Sequence, residues 1–126
     1  MRTKLCVISL LVVGFLTGSR PLFAHHGAAS FDTSKKVTVD GIVTEYIWTN
    51  PHVYLKVDAK DEEGNIKHWV IEAQSVVNQA NAGWTRTMFK PGDHVLIDVT
   101  PAKGDRPAGE FRGRIVINGQ EFKRIE

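Results

Sequence analysis

Cysteine is almost missing from this chain of 126 residues: its one cysteine, Cys6, sits close to the amino terminus. Everything after that position is therefore closed to disulfide scaffolds, thiolate nucleophiles and thiolate metal centres. Also missing is an apolar run of the roughly 20 residues that a bilayer-spanning helix needs. The longest candidate, Leu5 to Leu16, is broken by Gly14. Charge of one sign is not in excess either, with 16 Lys and Arg against 14 Asp and Glu. Enzyme signatures are equally thin. No glycine-rich phosphate loop follows a strand pattern, and Ser30, Ser34 and Ser75 lack a nucleophile-elbow context. The adjacent Glu62 and Glu63 fall in a turn where solvation accounts for them. A non-enzymatic protein is expected.

What is present begins with an address. Arg2 and Lys4 precede the apolar run, Thr17, Gly18 and Ser19 break it, and Ala24 offers a small residue for cleavage. Residues 1–24 read as a signal peptide and 25–126 as one mature domain; a membrane-retained signal is the alternative. Thr3, Lys4 and Leu5 before Cys6 do not form a lipoprotein motif, so no stable anchor is expected after cleavage. The leader contains Arg2, Lys4 and Arg20 and no acid, so the mature balance becomes 13 against 14. A near-neutral, exported domain argues against nucleic acid as a partner and places the protein in the periplasm or outside the cell.

Short alternating segments separated by Gly, Pro and Asn turns make the mature chain mainly β. Lys36 to Trp48 reads as a long strand with Gly41 as a bend or bulge. His52 to Asp58 alternates with Val53, Leu55 and Val57 on one face, and Ile66 to Ala73 returns as its hairpin partner, with Lys56 set opposite Val70 and Tyr54 opposite Glu72. Ser75 caps a short helix through about Ala82, with Val76, Val77 and Ala80 as its apolar face and Gly83 as its stop. Lys90-Pro91-Gly92-Asp93 is a turn, His94 to Thr100 and Arg112 to Ile117 are strands, and Asn118-Gly119 turns the chain into a strand over Glu121 to Ile125. Three strands, a helix and further strands predict a small OB-like Greek-key β-barrel, with a β-sandwich as the alternative.

Several motifs in order bring a family into view: His25-His26-Gly27, Phe31-Asp32, Trp48-Thr49-Asn50-Pro51-His52, Gly83-Trp84-Thr85 and Lys90-Pro91-Gly92-Asp93. The mature chain resembles, over essentially its whole length, small exported bacterial proteins grouped as a domain of unknown function. The resemblance implies a secreted barrel-like domain and carries no catalytic residue onto this chain.

Candidate chemistry rests on histidine. Cleavage after Ala24 would put an α-amine and an imidazole on the same residue, His25, which can chelate an ion together, with His26 or His52 completing the site. Nitrogen ligation without thiolate suits a copper ion, Cu(II), and also Zn or Ni, better than Ca or Mg. Glu72, brought near His52 by the hairpin register, would add an oxygen ligand or orient the imidazole. The plainer account makes His25 and His26 a solvated terminus, Asn50-Pro51-His52 a turn entering a strand, and Glu72 a solvated carboxylate. His68 and His94 are expected at the surface, and Trp48, Trp69 and Trp84 in or closing the core. Two functions follow: an exported metal binder or carrier using His25, His26, His52 and Glu72, or a module that binds a non-metal ligand or a periplasmic protein.

Overall fold

Alternation in sequence becomes alternation in burial. This computed structural model describes residues 30–125. In β1 (Val37–Ile47), Val39, Gly41 and Val43 are buried while Thr38, Asp40, Ile42 and Thr44 face solvent. β2 (Tyr54–Lys60) buries Leu55, Val57 and Ala59, and β4 (His94–Pro101) buries Val95, Ile97 and Val99. β3 (Ile66–Glu72) and β5 (Ala108–Ile117) contribute Ile71 and Ile115. These side chains form one core because every strand turns its apolar parity to the same side.

Pairing is antiparallel along β3-β2-β1-β4-β5, and a parallel contact of β3 with β5 joins the two ends. The sheet is thus a closed five-stranded barrel, and closure leaves no sandwich of two separate sheets. The hairpin register is as expected, with Lys56 opposite Val70 and Tyr54 opposite Glu72. Between β3 and β4 lies α1 (Val76–Asn81), whose N-cap Ser75 accepts a hydrogen bond from the Asn78 amide at 3.3 Å. A short β6 (Gln120–Glu121) follows the Asn118-Gly119 turn, where both residues have positive φ, 50° and 82°.

Four local expectations need correction. Gly41 is not the irregularity of β1; the register shifts between Val43 and Glu45. Gly41 is required for another reason: a Cβ there would lie 2.3 Å from the Asp58 carbonyl oxygen. β5 starts at Ala108 rather than Arg112, because a register shift between Ile97 and Val99 of β4 absorbs extra residues around Gly113, φ 114°, and hides the strand's periodicity. The last strand ends at Glu121 instead of continuing to Ile125, since the Ile125 amide crosses to the Ala82 carbonyl beyond the helix. Finally, the helix turns a different face inward. Val77 is 63% exposed and Ala80 is exposed, whereas Gln79 is 2% exposed.

Candidate functional site

The β2–β3 ladder continues one step beyond the named strands and positions His52. Val53 donates to the Gln74 carbonyl and Ala73 donates to Val53, at 3.0 and 2.8 Å. His52 and Tyr54 therefore emerge on the outer face of the barrel, diagonal to and opposite Glu72. The His52 Nδ1 is paired with Glu72 Oε1, and both side chains are partly exposed, at 35% and 22%. A neutral imidazole whose Nδ1–H is given to the carboxylate keeps its lone pair on Nε2, the arrangement in which a carboxylate orients a ligating histidine. Tyr54 stands edge-on to the His52 ring, centroids 6.4 Å apart. Burial, and then the negative charge of Glu72, raises the Tyr54 hydroxyl above its ordinary range.

Asn50 takes a different part from the one its turn composition suggests. Rather than bonding its own turn, its Oδ1 accepts from the Val76 amide at 3.1 Å, tying the β1–β2 loop to the start of α1. Tyr54 and Glu72 also line a small cleft of about 100 Å³, together with Ser30, Phe31 and Arg106 among others. The first described residues are held there by backbone pairing: Phe31 bridges to Ala102, Asp32 donates to Pro101, and Lys103 donates to Ser30.

His25 and His26 lie outside the described residues. His52 and Glu72 are brought together, as the hairpin register predicts. His68 and His94 are exposed and do not join them: His68 Nδ1 pairs with Asp58 and His94 Nε2 with Asp40, each at 2.6 Å. Among the described residues no three His, Cys, Asp or Glu side chains converge in a metal-binding group. Trp84 is buried, and Trp48 and Trp69 pack half-buried against the core. Trp69 lines, with Val37, Val39 and Ala59, a cavity of about 460 Å³.

One polar residue escaped the sequence reading. Gln79 is the buried residue of α1, and the signal that would have found it is spacing: three residues after Val76 and three before Ala82, it lies on the stripe that must meet the barrel.

Strand order, closure and the helix between the third and fourth strands define a small OB-like barrel domain. The chain belongs to a family of unknown function, DUF6152, whose model matches residues 14–111. No curated protein matches it in sequence. Among solved structures it is similar to the mitochondrial single-stranded DNA-binding protein Rim1 from S. cerevisiae, at 12% identity and a TM-score of 0.49, over 66% of this chain and 93% of that one. The barrel assignment rests on the strand pairings themselves.

Proposed function

We propose that this protein is an exported metal-binding domain, a periplasmic or secreted Cu(II) binder or carrier. Its ligands would be the His25 α-amine and imidazole, His26 and His52, with Glu72 orienting His52. One observation carries this reading: Ser30 and Phe31 share a cleft with Tyr54 and Glu72. Three residues lie between His26 and Ser30, and this tether of four steps along the chain spans at most about 14 Å. The His52 ring is 6.4 Å from the ring of Tyr54, a wall of that cleft. In this proposal that tether carries the amino-terminal histidines to His52 Nε2. An amine, imidazoles and no thiolate form a donor set that favours Cu(II) among the common divalent ions.

Cleavage after Ala24 is part of the proposal, because that cut creates the amine. Native mass spectrometry of the secreted protein with its authentic terminus should give a mass starting at His25 and about one Cu(II) per chain. His25→Ala should abolish uptake, and Glu72→Gln should weaken it by about 10 to 100-fold, as loss of an orienting carboxylate does. Uptake no greater than that of the His25→Ala chain would overturn it.

A further inference from the structure

The buried residue of α1 is an amide. Gln79 is 2% exposed, and its Nε2 donor has no hydrogen-bond partner among the described residues. A helix laid across a barrel end ordinarily buries aliphatic side chains, and leucine would fill this position with nothing left unbonded. A buried donor without an acceptor costs stability. Residues that break a local rule at such a cost mark functional positions.

Gln79 lines a cavity of about 350 Å³ with Gln74, Glu110, Phe111, Arg112 and Arg124. That volume lies within the range of small-molecule sites. Neither arginine pairs with a carboxylate among the described residues. The lining thus includes two arginines, the buried amide donor of Gln79 and one carboxylate residue, Glu110. Phe111 provides an apolar side and is itself held edge-on by Trp84, ring centroids 5.1 Å apart.

We infer that this cavity binds a small carboxylic acid that also carries a hydroxyl or amino group. The ligand carboxylate is taken by Arg112, Arg124 and the Gln79 amide, a set in which the planar guanidinium matches two oxygens at once. The hydroxyl or ammonium is taken by Glu110. This site shares no ligand with the proposed copper site, so either can fail without the other.

The test is a titration of the full mature protein with L-malate and with L-aspartate, followed by NMR of the Gln79 side-chain NH2 and the arginine Nε–H groups. Dimethyl malate serves as the control without carboxylates. At least one of the two acids should shift the Gln79 NH2 signals saturably, at a concentration at least tenfold below any effect of the ester. Gln79→Leu should raise the thermal midpoint of the free protein and remove stabilisation by the acid. Arg112 is exposed, so Arg112→Ala tests the site with the core intact and should weaken binding tenfold or more. The inference is overturned if neither acid gives a saturable shift, or if binding survives unchanged in Arg112→Ala.

Discussion

Gly41 and Asp98 show what single positions contribute. Gly41 lets β1 and β2 pass close together, and the atom a methyl group would strike is backbone, which cannot swing away. Gly41→Ala should lower stability by about 1 to 3 kcal/mol, the usual cost of overpacking, read as a fall in denaturant midpoint with unchanged slope. Asp98 is a buried carboxylate on β4, 4% exposed, held by Lys36 Nζ at 2.7 Å and Thr38 Oγ1 at 2.7 Å. Burial by itself would raise its pKa, but the hydrogen bonds from Lys36 and Thr38, with the charges of Lys36 and Arg114, outweigh it and hold the carboxyl below its ordinary range. Because the folded value is depressed, the ionised form favours the native state. That contribution is complete above the ordinary carboxylate range, near about 4, and disappears as pH falls through the lower folded value. Replacing Asp98 by Asn should flatten the acid limb of a stability-against-pH curve measured by urea unfolding.

At the scale of elements, α1 is too short to stand alone and is held by its ends. Two amides of its first turn are served from outside the helix: Val76 by Asn50 Oδ1 and Asn78 by Ser75 Oγ. Six residues cannot sustain a helix by propensity, so these caps and the packing of Val76 and Ala82 against the core hold it. Ser75→Ala should cost about 1 kcal/mol. Asn50→Ala should raise amide hydrogen exchange at Val76 while leaving β4 protection unchanged, because the bond it removes joins a loop to the helix and touches no ladder. Equal loss of protection in β4 would show that helix and barrel open together. The sequence was a good guide to these ends: Ser75 and Gly83 frame the helix as their chemistry requires, and Gly83 has the positive φ, 91°, of a helix stop. It misled about the inward face, because over six residues Val76, Val77 and Ala80 mimic an apolar stripe as well as Val76, Gln79 and Ala82 do.

For the whole molecule, the buried core of the described residues contains no histidine. His52→Ala, at a partly exposed position, should shift the metal-free melting point only slightly. Cu(II), by contrast, should stabilise the unaltered mature protein in a concentration-dependent way, by about 2.7 kcal/mol at a hundredfold excess over Kd, and that gain should shrink in His52→Ala. Differential scanning calorimetry with and without Cu(II) checks both. The fold class was legible in sequence because period-2 alternation reports directly on a sheet with one buried face, and the Lys56–Val70 register followed from that alternation and the turn. The absence of cysteine after Cys6 and the near balance of 16 Lys and Arg against 14 Asp and Glu are likewise properties of composition, open to reading before any folding. The order of elements predicted a barrel, but not the pair of strands that closes it: the parallel contact of β3 with β5 joins segments almost forty residues apart, and the shift near Gly113 erased the alternation that would have announced it. So with the sites. Adjacent strands put His52 beside Glu72, a local consequence of hairpin register, whereas the cavity of Gln79, Arg112 and Arg124 gathers a helix, a strand and the carboxyl-terminal segment, which no periodicity along the chain connects. Local pattern dictates which face of each strand is buried; only packing decides which distant side chains share a wall.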